Sequence, residues 1–228
     1  MKKILLFFGV LAITASLQAQ DPLSGVYGYS IKAPVDAPVT ESDRGPSATL
    51  ILVKMDNEKY RFWLDITKGW PSYAVGETDG TITFKNDTAS FDNTFEDASG
   101  NCILKFKKNG NTISISSDRA AFNCGFGNGV VATGEYVKLE KQPELNSAWL
   151  RKEYPNAPVV IVAVDKAEIY QDENALRSFP KKQYFSKGDR LFNITETETT
   201  IYTEFIQASG QFIYGWIRKS AIKSEAQK

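Results

Sequence analysis

The clearest pattern in the chain is the alternation in KYRFWLDI, Lys59–Ile66. Tyr60, Phe62, Leu64 and Ile66 fall on one face, and Arg61, Trp63 and Asp65 fall on the other, the period of a strand with one buried face. ATLILVKM before it reads as a partner strand. TDGTITF places an Asp79-Gly80 turn ahead of Ile82 and Phe84. CILKFKKNGNTISIS reads as a hairpin: Asn109-Gly110 suits a type I′ turn, and Cys102, Leu104 and Phe106 can face Ile113 and Ile115. GVVATGEYVKL supplies a further strand. With Val26–Ile31 and Ala89–Phe95, about eight strands lie between residues 23 and 140. An all-β fold follows, and eight antiparallel strands with short turns suit a closed barrel or a sandwich.

KQPELNSAWLRKEYPNAP interrupts the alternation. Pro143, Pro155 and Pro158 bracket a polar piece containing Trp149 and Leu150, read as a linker over residues 142–157 with one short helix at Glu144–Lys152. Residues 158–225 return to short strands, enough for a second, small barrel. The reading is therefore a leader over 1–19, an eight-stranded barrel over 20–141, the linker, and the small barrel.

The leader rests on MKKILLFFGVLAITASLQAQ. Two lysines precede about a dozen apolar residues, and Leu17-Gln18-Ala19 offers a small-residue cleavage site, the order of a secretory signal peptide. The run is shorter than the ~20 residues of a membrane span. An exported chain, periplasmic or extracellular and with no membrane span, is the expectation. Export gives the two cysteines a meaning: Cys102 and Cys124 are expected to form one disulfide.

Composition removes several chemistries. The chain has no histidine, so a Ser-His-Asp triad, a Cys-His pair and a histidine-ligated metallohydrolase cannot be built. Two cysteines without histidine leave too few soft ligands for zinc. No cofactor and no metal are expected. The charges balance, with 27 basic and 27 acidic residues and no basic cluster, so no nucleic-acid partner is expected.

Two resemblances extend this reading. AEIYQDEN, YFSKGDRLFNI and YTEFIQASGQFIYGWIRKSAI, ending in Gly215-Trp216-Ile217, resemble a bacterial SH3-like domain. Such domains usually accompany envelope enzymes or bind wall polymers and peptides. CILKFKKNGNTISISS with CGFGNGVVATGEYVK resembles the β-barrel module of bacterial lysozyme-inhibitor-like proteins. Cys102 matches the first cysteine of that pattern; Cys124, Gly125, Gly127, Val130, Ala132, Gly134 and Tyr136 match the rest. The resemblance implies a lysozyme-inhibitor-like barrel and carries no inhibitory loop onto this chain; the strand count by itself also suits a lipocalin-like barrel.

Candidate binding residues are aromatic, because flat rings with amides nearby stack on sugars or anchor protein partners. In the first barrel they are Trp63, Trp70 and Tyr73; in the second, Tyr170, Tyr184 and Trp216. For Trp63 and Trp216 burial in a core competes with that role. Cys124 with Gly125, Gly127 and Gly129 reads as a staple and bend, since no strand–loop–helix phosphate cradle surrounds it. Acidic groups at Asp36, Glu41 and Asp43 and at Asp92, Glu96 and Asp97 read as solvated loops; calcium at the latter matches no known loop spacing. Ser178-Phe179-Pro180-Lys181 fits serine-x-x-lysine by letters only. The expected function is a non-catalytic exported binding protein of the bacterial envelope, recognising a protein or glycan partner. The alternatives are a lipocalin-like carrier of an apolar ligand and a carboxylate-dependent glycan hydrolase.

Overall fold

The computed structural model describes residues 21–93, 102–117, 124–207 and 209–225; the leader, Glu96 and Asp97 lie outside them. Eight antiparallel strands form one sheet: β1 (Gly25–Ser30), β2 (Ser47–Asp56), β3 (Lys59–Thr67), β4 (Val75–Thr83), β5 (Thr88–Asn93), β6 (Cys102–Asn109), β7 (Thr112–Ser117) and β8 (Gly134–Lys138). Their spatial order is β4-β3-β2-β1-β8-β7-β6-β5. The sheet curls into a nearly closed barrel whose seam lies between β4 and β5. At the seam the Phe91 ring lies over Gly80, where a Cβ would come within 2.4 Å of Cε2, and meets Phe62 edge-on at 5.0 Å. A side chain at 80 would push that ring away.

The alternation in Lys59–Ile66 sets the inside of the barrel. Tyr60, Phe62, Leu64 and Ile66 point inward, joined by Tyr27, Leu50, Leu52, Leu104, Phe106, Ile113 and Tyr136. All are buried, and together they pack the interior. Tyr136 donates its hydroxyl to the Ala132 carbonyl at 2.8 Å, and Tyr27 to that of Leu23 at 2.8 Å, so both rings meet the need of a buried phenol for a partner.

Three local expectations shift. Asp79-Gly80 makes no turn: both residues lie inside β4, opposite Trp63 and Phe62. Asn109 stands opposite Thr112 in the ladder, so the turn residues are Gly110 and Asn111. Only Gly110 has a positive φ, 60°, the II′ pattern and not I′. The I′ pattern occurs instead between β4 and β5, where Asn86 and Asp87 have φ of 50° and 61°. The last strand begins at Gly134 rather than Gly129, because Val130 and Ala132 turn into the barrel end and are fully buried.

A helix, α1 (Ser147–Glu153), follows. Asn146 caps it, its Oδ1 accepting from the N–H groups of Ala148 and Trp149. The remainder forms three small sheets from β9 (Val159–Val162), β10 (Lys166–Glu168), β11 (Tyr184–Ser186), β12 (Arg190–Phe192), β13 (Thr195–Glu196), β14 (Thr200–Ile206), β15 (Phe212–Arg218) and β16 (Ile222–Ser224). Their orders are β12-β9-β16, β13-β14-β15 and β10-β11. They enclose a core of Val162, Ala167, Ile169, Phe185, Leu191, Ile201 and Ile217. Gly215, at φ 139°, lets the Tyr170 carbonyl approach to where a Cβ would stand 2.7 Å away. Tyr170 and Trp216 exchange backbone hydrogen bonds of 2.8 and 2.9 Å there.

A third apolar layer joins the two parts. The outer face of β1–β3, with Val26, Ile51, Val53, Met55 and Trp63, packs on Leu150, Phe192, Ile206 and Phe212.

Candidate functional site

The strand register sends every long connection to one end of the barrel. Ser30 pairs Ser47, Ser47 pairs Thr67 and Thr67 pairs Val75, so residues 31–46 and 68–74 leave the same rim, joined by the segment before Gly134. The turns at 57–58, 84–87 and 110–111 close the opposite end.

The described loops at the rim are laced together. Trp70 donates its N–H to the Arg44 carbonyl at 2.8 Å, and Gly127 to that of Val75 at 2.9 Å. The Tyr73 hydroxyl donates to Glu41 Oε2. Gly69 and Gly45 permit direct backbone contact: a Cβ on Gly69 would meet the Arg44 carbonyl oxygen at 2.4 Å. Below them, Phe126, Val130 and Ala132 plug the barrel. The Cys102–Cys124 disulfide, spanning 22 residues, ties that plug to the start of β6.

This end also gathers exposed apolar side chains. Ile31, Val35, Val39, Tyr73, Val75 and Val131 all lie at it, and Val35 and Val39 are 106% and 91% exposed. Apolar side chains this large and this exposed contribute nothing to the core where they stand. Of the aromatic candidates, Tyr73 stands exposed in this crown and Trp70 is half-buried beside it. Sequence reasoning missed the valines. Their signal was IKAPVDAPVTESDRG, a proline-punctuated connection carrying apolar residues without strand period.

Trp63 lies elsewhere. It is buried between the two parts of the molecule, edge-on to Trp149 at 5.2 Å and to Phe212 at 6.2 Å. Its ring meets the second domain rather than solvent. Tyr170 and Trp216 are brought together by their backbone bridge, both half-buried, with Arg218 over the Tyr170 ring at 5.2 Å and Tyr202 against Trp216 at 5.6 Å. Tyr184 is exposed on β11, under Lys166.

Beside Trp63 the interface holds charge. Arg61 Nε lies 3.0 Å from Glu204 Oε1, and Arg61 Nη2 lies 2.6 Å from Asp79 Oδ2. Tyr154 donates to Glu204 Oε2, and Tyr202 to Oε1 at 3.2 Å. Glu204 is 1% exposed. Burial raises its carboxyl above the ordinary range, against the lowering pull of Arg61 and the two hydroxyls. Arg61 and the two hydroxyls, rather than water, are what favour its charged form.

Carboxylates meet where Glu153, the last residue of α1, comes near Asp65 of β3 and Glu77 and Asp79 of β4. Burial raises the Glu153 carboxyl, and Asp65, Glu77 and Asp79 raise it further; burial and Glu77 raise Asp65 likewise. A carboxyl raised in the folded state binds its proton more tightly there than in the unfolded chain. The cost to stability therefore grows as the pH rises past the ordinary value and is complete above the raised one. Glu153→Gln is expected to raise the melting temperature at pH 7 by roughly 1–3 °C, with the gain disappearing as the pH falls below the ordinary glutamate value of 4.5. Melting curves from pH 3 to pH 8 check both parts.

Comparison of the chain with protein-family models, with curated proteins and with solved structures returns no match. Among the described residues, no group of histidine, cysteine and carboxylate side chains could hold a metal ion, and no helix is long and apolar enough to cross a membrane.

Proposed function

We propose that the chain is a non-catalytic, exported recognition protein of the bacterial envelope, and that the long-loop end of its first barrel docks a protein partner. The observation that carries this is the crown of exposed apolar side chains on loops braced by hydrogen bonds and a disulfide. Bracing lowers the ordering cost of binding, since the contact residues are already placed. An interior packed with aromatic and aliphatic side chains favours an outer surface over an internal ligand.

The resemblance to lysozyme-inhibitor-like proteins makes a lysozyme the partner to test. The mature chain is expected to slow hydrolysis of wall material by lysozyme. Val35→Asp with Val39→Asp is expected to weaken that effect at least tenfold, without lowering the melting temperature, because both side chains are solvent-exposed. A wild-type chain that neither slows lysozyme nor sediments with peptidoglycan contradicts the reading.

A further inference from the structure

Ala-Pro-Val occurs three times in the chain, at residues 33–35, 37–39 and 157–159. The structure gives the three copies different surroundings. The first two lie in the crown loop, where Pro34, Val35, Asp36, Pro38, Val39 and Thr40 are exposed. The third enters β9, which runs between β12 and β16. There Val159 pairs with Phe192 and its carbonyl accepts from the Glu225 N–H at 3.3 Å. The Pro158 carbonyl accepts from the Asn193 N–H at 2.9 Å.

The crown loop is tied at its ends. The Ile31 N–H donates to the Pro46 carbonyl at 2.8 Å, and the Ala33 N–H to that of Ser42 at 3.1 Å. Between those ties the backbone makes local turns. The Ala37 N–H donates to the Pro34 carbonyl at 2.9 Å, and the Glu41 N–H to that of Pro38 at 2.8 Å. Among the described residues, the Val35 N–H and carbonyl have no hydrogen-bond partner. No residue from 34 to 40 is buried. Straightening this stretch breaks exposed turns and no packing, whereas exposing 157–159 requires β9 to leave its sheet.

A serine protease holds its substrate as an extended segment, with the residue before the cut in the S1 pocket. A small pocket takes valine and refuses aromatic rings. Proline before that valine fixes φ near −65° and biases the alanine before it to extended backbone. Exposed loops of this kind are preferred sites of nicking.

We propose that the crown loop is a processing site for an endoprotease with a small apolar S1 pocket, cut after Val35 or Val39. Hydrolysis adds one water across the peptide bond, leaving a carboxylate on the valine and an amine on Asp36 or Thr40. β1 stays paired with β2 and β8 through its own ladder, so the cut opens the crown and spares the barrel. The site lies in the loop proposed to dock a protein partner, but cleavage does not require that docking.

The experiment treats the chain with a catalytic amount of pancreatic elastase, and separately with chymotrypsin, well below the melting temperature. Fragment masses locate each cut. Elastase is expected to cut after Val35 or Val39 at least tenfold faster than after Val159. Chymotrypsin is expected to leave the loop uncut in that time, since residues 32–46 contain no aromatic side chain. The two fragments should elute together on size exclusion in native buffer and part in denaturant. Val35→Asp with Val39→Asp should slow cleavage of the loop at least tenfold without lowering the melting temperature. The proposal is overturned if neither bond is cut while the chain stays folded, if Val159 is cut as fast, if chymotrypsin cuts the loop as readily, or if the variant loop is cut at the wild-type rate. Fragments that part in native buffer contradict the spared barrel. Lysozyme takes no part in this assay, so a chain that fails to slow lysozyme leaves its result standing.

Discussion

Replacing Glu204 by alanine is expected to lower the stability of the folded chain by about 3–5 kcal/mol, the range for removing one partner of a buried pair. The carboxylate is 1% exposed and is surrounded by Arg61, Tyr154 and Tyr202. Its loss leaves the Arg61 guanidinium, with an 11% exposed side chain, with Asp79 as its one remaining carboxylate beside the Tyr154 hydroxyl. It also leaves two phenols without their acceptor. Arg61→Met alone is expected to cost a similar amount, because Glu204, whose carboxyl burial already raises, must then be held without its cation or take up a proton. The double variant Arg61→Met with Glu204→Leu removes both charges and is expected to recover most of the loss. Denaturant unfolding of the four proteins gives the coupling directly. Additive losses in the double variant would show that the two groups do not act as a pair.

The second large effect concerns the disulfide. Cys102→Ala with Cys124→Ala is expected to cost about 3 kcal/mol in the chain-entropy description of a loop of this length. The loss has a location as well as a size. Phe126, Val130 and Ala132 close the barrel end just beyond Cys124, and the Gly127 N–H to Val75 carbonyl bond joins that plug to β4. Amide exchange at Gly127 is therefore expected to accelerate more than exchange in β2 or β3. A change below about 1 kcal/mol, against the 2–5 kcal/mol typical of a native disulfide, would mean that strand pairing alone holds the plug.

Where alternation was strict, the chain was readable. Tyr60, Phe62, Leu64 and Ile66 fill the barrel as their spacing required, and the all-β, eight-stranded reading follows from such segments. Turns were less readable, because asparagine, aspartate and glycine each accept positive φ: the geometry expected at Asn109-Gly110 occurs at Asn86-Asp87, and the later hairpin turns through Gly110-Asn111. Trp63 could be assigned to the outer face but not to what covers that face. Its covering residues Trp149 and Phe212 come from far along the chain, and strand period carries no information about a second layer. The same holds for Arg61 and Glu204, each of which reads as a polar residue until the domains meet. The crown needed topology: valines scattered over 31–46 become a surface only when the register brings their loop beside 68–75.

The account rests on recognition through that crown. The most direct measurement is amide hydrogen exchange of the chain with and without a molar excess of lysozyme. Slowed exchange confined to residues 31–46 and 68–75 is the predicted result. Unchanged exchange throughout, or protection confined to the second domain, contradicts it.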